Sequence, residues 1–182
     1  EKYPRAHHQL ARILFIQGKS VEALTEIEKE IELYGGTNKN AYYVRGLIRG
    51  FAGAYSHAAE DFAEFIAHQP DSWPAHNDYA WVLLKAGRPL EAAATLEEAL
   101  TLYPDNAWLL NSYAATLFEL GDYERAAEVA LRAKKAVLLV TPEDWSRVNP
   151  GNDPRRSGEG VVAFRNSTVL NLEKILAAAS ST

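Results

Sequence analysis

Four glycines divide the chain at nearly equal steps: Gly18, Gly53, Gly87 and Gly121 are separated by 35, 34 and 34 residues. An alanine follows each glycine by five residues (Ala23, Ala58, Ala92, Ala126), and a small residue precedes each by seven (Ala11, Gly46, Ala80, Ala114). Self-similarity at a fixed period demands a repeated supersecondary unit. Two helices cross closely only where side chains are small. Glycine ends a helix at low cost because left-handed backbone angles are open to it. Each period therefore reads as two helices joined at the glycine, with the small residues at their crossing. Apolar residues at helical spacing complete the pattern: Tyr79, Leu83, Leu96 and Leu100 in the third period, and Leu110, Tyr113, Leu117 and Val129 in the fourth. Pro70 and Pro104 close the second helices of the second and third periods.

Small residue, glycine, alanine and proline on this period, with LFELGDYERAAEVALRA at 117–133, resemble the tetratricopeptide repeat. The resemblance implies an all-α, right-handed superhelical α-solenoid of four helical hairpins. It covers residues 4–140, with repeats at 4–37, 39–72, 73–106 and 107–140 and one extra residue near Gly35-Gly36. Three departures stand out. The first repeat ends in Gly35-Gly36-Thr37 in place of a proline, and it carries Glu30 where a small residue is usual. The second repeat has Arg45 and Arg49 at places that usually hold large apolar residues, so each must find an acid or leave the packing loose.

After Val140 the period stops. Thr141-Pro142-Glu143-Asp144 reads as a helix start, with a capping hydroxyl, proline at the first position and acids near the positive end. The turn-rich Asn149-Pro150-Gly151-Asn152-Asp153-Pro154 then breaks it. Residues 141–158 are thus a short helix and loop, and 159–182 an amphipathic helix and tail with Val161, Phe164, Leu172, Ile175 and Ala179 on one face. That C-terminal helix is expected to cap the array, since the flank of a terminal repeat is apolar. A second reading lays loop 145–158, with Trp145, Arg147, Arg155 and Arg156, over the concave face.

Most chemistry is excluded. With no Cys there is no disulfide, thiolate or cysteine-based zinc site. Gly35-Gly36-Thr37-Asn38-Lys39 lacks the spacing of a phosphate loop. His7, His8, His57, His68 and His76 form no ligand pattern. Acid pairs such as Glu60-Asp61 and Glu97-Glu98 read as solvated faces. Asn166-Ser167-Thr168 matches a glycosylation sequon but falls within a helix. No catalytic residue, metal or cofactor is expected. A net charge of −5 argues against a nucleic-acid partner, and the fragment carries no membrane-inserting segment. The absence of Met suggests a piece of a longer product. The chain also resembles bacterial repeat proteins whose array follows an N-terminal membrane anchor. That implies a bacterial, membrane-tethered fragment, with a cytoplasmic location as the alternative.

The expected function is protein–protein interaction, with a peptide or partner segment held in the concave groove. The alternative is a self-assembling scaffold, a homo-oligomer formed through repeat stacking. The resemblance places the first helix of each hairpin along the groove, which nominates Arg12, Tyr43, Leu47, Asn77, Trp81, Trp108, Asn111 and Phe118. Asn77 and Asn111 occupy one repeat position, and an amide both donates to and accepts from a peptide backbone. Tyr43, Phe51, Trp81, Trp108 and Phe118 offer aromatic anchors, against which stands the plainer role of packing between repeats. The carboxylate clamp of chaperone-binding relatives is largely absent. Its places hold His8, Arg12, Val44, Pro74 and Asp78, although Arg5 and Arg12 leave the first repeat basic.

Overall fold

A computed structural model describes residues 3, 5–149 and 153–180. These residues form ten α-helices and one 3-10 turn, with no strand among them, so the fold is all-α. They divide into two compact units, Glu1–Gly87 and Arg88–Thr182.

The first unit holds α1 (Ala6–Ile16), α2 (Ser20–Tyr34), α3 (Asn40–Phe51), α4 (Tyr55–Ile66) and α5 (Trp73–Lys85). Here α1 pairs with α2, α3 with α4, and each second helix packs on the first helix that follows it. The second unit holds α6 (Pro89–Leu102), α7 (Ala107–Glu119), α8 (Tyr123–Val137), α9 (Pro142–Val148), a 3-10 turn (Pro154–Arg156) and α10 (Ser157–Ala179). In it α6 and α8 flank α7, while α10 lies along α8 and touches α7.

The glycine ladder does what its spacing requires. Gly18, Gly53, Gly87 and Gly121 have φ of 75°, 83°, 75° and 79°. At three of these turns the next N–H reaches back to a helix carbonyl: Lys19 to Leu14, Ala54 to Arg49 and Asp122 to Leu117. These bonds satisfy carbonyls that the ending helix leaves open. Ala11, Ala23, Ala58, Ala80, Ala92, Ala114 and Ala126 are all buried. Gly46 is buried too, and a Cβ there would lie 3.2 Å from the Phe62 ring.

The first unit meets its departures from the repeat with buried polar locks. Glu30 is 0% exposed and works as a cap for another helix. Its carboxylate accepts from the backbone N–H groups of Arg5 (3.1 Å) and His8 (3.2 Å) at the start of α1, and from the Asn38 amide (2.7 Å). Arg45 and Arg49 do find an acid. Asp61, 2% exposed, accepts from Arg45 Nη2 at 2.6 Å and Arg49 Nη1 at 2.9 Å. The expectation that Glu60-Asp61 is a solvated pair is therefore corrected at one member. Successive helical residues point about 100° apart, so Glu60 faces water while Asp61 faces α3. Glu97 and Glu98 are both exposed, and Glu97 bonds Tyr113 and Arg125.

The tail begins with the expected cap: Thr141 Oγ1 accepts from Asp144 N–H (3.2 Å) and Asp144 accepts from Thr141 N–H (3.1 Å). Residues 150–152 of the predicted turn lie outside the described residues. Val161, Phe164, Leu172 and Ile175 of α10 are buried, while Ala179 is partly exposed. Arg165 fastens α10 to the end of α8 by donating to the carbonyls of Val137, Leu138 and Val140. No described helix is long and apolar enough to cross a membrane.

Candidate functional site

In the first unit, the middle first helix α3 contacts both α1 and α5. At their C-terminal ends aromatic rings form a row. Phe15 and Phe51 meet edge to face at 5.6 Å, and Phe51 meets Trp81 at 5.4 Å. Tyr55, the first residue of α4, closes on Trp81 at 6.1 Å. Gly50 permits this approach, since a Cβ there would lie 2.9 Å from the Trp81 ring. The middle ring of the row is open to water, Phe51 being 69% exposed, while Phe15 and Trp81 are partly buried; Ile16 next to Phe15 is 61% exposed. Arg12 and Leu47 lie on the same two helices and are partly exposed. The Arg12 guanidinium donates to the Gln9 amide oxygen at 3.3 Å.

Nearer the helix starts the face is polar. Tyr43 sets its ring against Phe62 (5.6 Å) and Phe65 (5.1 Å), and its hydroxyl donates to Asp78 at 2.6 Å. Withdrawal from water pushes the Asp78 carboxyl up to about 6, against the opposing effect of hydrogen bonds from Tyr43 and Asn77. The Tyr43 hydroxyl is pushed up by the same burial and by the neighbouring carboxylate. Asn77 is partly exposed and engages Asp78, its neighbour in sequence. His8 and Val44, which share the groove positions, turn inward and are buried. Burial, together with Arg12 and Arg5, holds the His8 imidazole below its usual range.

In the second unit the three nominated residues share a different surrounding. Trp108 stacks on Phe164 of α10 at 5.0 Å. Asn111 accepts from the Asn171 amide at 3.1 Å, and Lys174 places its ammonium 4.2 Å over the Phe118 ring. All three are thus met by α10, and Trp108, Asn111 and Phe118 line α7's contact with it. Sequence reasoning missed Phe164, Asn171 and Lys174 in this role. The available signal was the apolar stripe of α10, which requires some face to receive it.

Trp145 of α9 is engaged with α10 as well. It lies 6.2 Å from Phe164 and leans on Gly160, where a Cβ would collide with the indole ring. Arg147, Arg155 and Arg156 pair locally with Asp144, Asp153 and Glu159. No group of three or more His, Asp or Glu side chains able to hold a metal ion forms among the described residues.

Three sequence-family models, each described as tetratricopeptide repeat, match residues 4–29, 43–107 and 83–137. No curated protein matches the chain significantly. Among solved structures, MamA 41-end from Desulfovibrio magneticus RS-1 is 15% identical, with 100% of this chain and 98% of that chain covered and a TM-score of 0.68. PilW, described as a widely conserved type IV pilus biogenesis factor, is 19% identical over 97% of this chain and 79% of that chain, with a TM-score of 0.66. YrrB, described as a TPR protein with an unusual peptide-binding site, is 15% identical over 98% and 91%, with a TM-score of 0.65. At these identities the likeness is one of fold.

Proposed function

We propose that this chain, which belongs to the tetratricopeptide repeat family, is a protein-interaction module that holds an extended peptide or partner segment on the first-helix face of residues 1–87. The observation that carries the reading is the row Phe15, Phe51 and Trp81, whose central ring, Phe51, is exposed while the outer two are partly exposed. Exposed aromatic side chains grouped on rigid helices supply the large contact areas that anchor partners. Asn77, one turn before Trp81 and already engaged with Asp78, is partly exposed and carries both amide donor and acceptor atoms. The similar YrrB is described as having a peptide-binding site, which favours the same use of the fold. The contact with α10 turns Trp108, Asn111 and Phe118 to packing, so the proposed face rests on Arg12, Tyr43, Leu47, Asn77 and Trp81.

Selection of the full chain against a displayed library of unstructured peptides tests this. Enriched peptides should lose binding to Phe51→Ser and Asn77→Ala, two changes at accessible positions. Enriched peptides that bind both variants unchanged would sink the reading.

A self-assembling scaffold is the second reading. It is favoured by the exposed apolar residues Val162, Leu170 and Leu176 on α10. Sedimentation across a concentration series decides it, because a strict monomer removes the option.

A further inference from the structure

The carboxylates and cations of the first unit are sorted between its helices. Across α1, α3 and α5 the only carboxylate is Asp78, whereas α2 and α4 carry Glu22, Glu26, Glu28, Glu30, Glu32, Glu60, Asp61 and Glu64. Asp78 is taken up by the Tyr43 hydroxyl at 2.6 Å. The cations of the same three helices are Arg12, Arg45, Arg49 and Lys85. Arg45 and Arg49 both pair with Asp61, and Arg49 also reaches Glu28 at 3.6 Å. Arg12 and Lys85 join none of the ion pairs found among the described residues. Arg12 therefore brings an uncompensated positive charge to the face that carries the aromatic row, within a chain whose net charge is −5.

From this sorting we infer that the segment bound on this face is an acidic–apolar peptide. One of its carboxylates sits on Arg12, and a neighbouring apolar side chain lies against Phe15, Phe51 and Trp81. The inference rests on the proposed peptide-binding face and adds the chemistry of its ligand. Three features argue for it. Arg12 stands three and four residues before Phe15 and Ile16, so charge and apolar surface share one helical side. A guanidinium forks onto a carboxylate through two parallel hydrogen bonds, which an amide cannot match. The sole native acid of these helices is held by the Tyr43 hydroxyl and does not compete for Arg12. A basic peptide would face Arg12 and Lys85 with no accessible acid to receive it.

The test uses the full chain and three fluorescent decapeptide pools. Each pool has Leu or Phe at alternate positions, with Glu and Asp, Gln and Asn, or Lys and Arg between them. Anisotropy should show the acidic pool binding about tenfold tighter than the amide pool, the step expected when a neutral hydrogen bond becomes charge-assisted. The preference should shrink with added salt. Arg12→Glu should abolish it or turn it toward the basic pool, and Arg12→Gln should level the acidic and amide pools, with unchanged thermal midpoints in both variants. Equal binding of the acidic and amide pools, both lost in Phe51→Ser, would overturn the ligand chemistry and leave the binding face standing. Acidic binding that survives Arg12→Glu would also overturn the inference. Failure of all three pools to bind would remove the binding face itself.

Discussion

The two units solve one packing problem with opposite chemistry. In the first, Arg45, Arg49 and Asp61 meet between α3 and α4 as a buried ionic group. At the same repeat positions the second unit has Tyr113, Leu117 and Val129, all buried between α7 and α8. Glu30, which ties α2 to the start of α1, has Ala133 as its counterpart. The first-helix faces differ in the same sense. In the first unit Phe51 at the centre of the aromatic row faces water, and in the second α10 lies across Trp108, Asn111 and Phe118. A hairpin thus tolerates polar or apolar fillings at its crossing, provided each buried group is matched. Whether its first-helix face stays open depends on what packs there next.

The sharpest way to break this comparison is to remove Asp61. Asp61→Ala strands the Arg45 guanidinium and leaves Arg49 only its longer contact with Glu28, and such a loss costs about 4 kcal/mol. Exchanging all three residues for their counterparts, Arg45→Tyr, Arg49→Leu and Asp61→Val together, should leave stability unchanged or raise it by about 1 kcal/mol or more, since apolar replacement of a buried ion pair is often neutral to favourable. Urea denaturation of both variants measures the contrast. A triple variant as unstable as Asp61→Ala would show that the two fillings are not interchangeable.

On the second unit, Phe164→Ala should cost about 3 kcal/mol through lost burial and an incompletely filled cavity. It should also shift the tryptophan emission, because Trp108 and Trp145 both rest on that ring. Unchanged emission would mean that α10 does not hold those indoles.

Glu30→Ala should cost about 2 kcal/mol, because the helix-start N–H groups and the Asn38 amide lose their acceptor. Hydrogen exchange should quicken first at Arg5 and His8. Uniform quickening through both units would deny Glu30 its local role.

The smallest expected effect is a dependence on pH. The folded-state pKa of Asp78 is raised to about 6 from an ordinary 3.8, so its contribution to stability is fully present below pH 3.8 and is lost as the pH rises through 6. Tyr43→Phe removes a donor that favours the ionised form. It should therefore cost about 1 kcal/mol at pH 7.5 and less at pH 5, where Asp78 is largely protonated in the folded state. Equal losses at both pH values would show that the hydroxyl does not serve the carboxylate.

Much of the first layer of structure was legible in the sequence. The glycines mark left-handed turns, the alanines lie at crossings, and Thr141 with Asp144 starts α9 as its cap pattern implies. Each of these depends on local backbone sterics or on a helix's own periodicity. Arg45 and Arg49 were legible as anomalies but not as a bonded pair, because their acid stands on another helix and adjoins Glu60, an acid of the same appearance. The site was legible as a set of helix positions, though not as a surface. Tyr43 is divided between core rings and Asp78, and Asn111 is taken by Asn171, sixty residues on.

By itself, then, the sequence determined the period, the helices, their turns and the small-residue crossings, since all of these follow from short-range sterics repeated along the chain. Only the tertiary structure decided that Asp61 pairs with two arginines, that Glu30 caps a helix other than its own, and that α10 meets Trp108, Asn111 and Phe118. Those outcomes depend on long-range contacts, in which a side chain's surroundings come from residues distant in sequence. The same sorting of charge between neighbouring helices leaves Arg12 beside the aromatic row with no native acid to hold it.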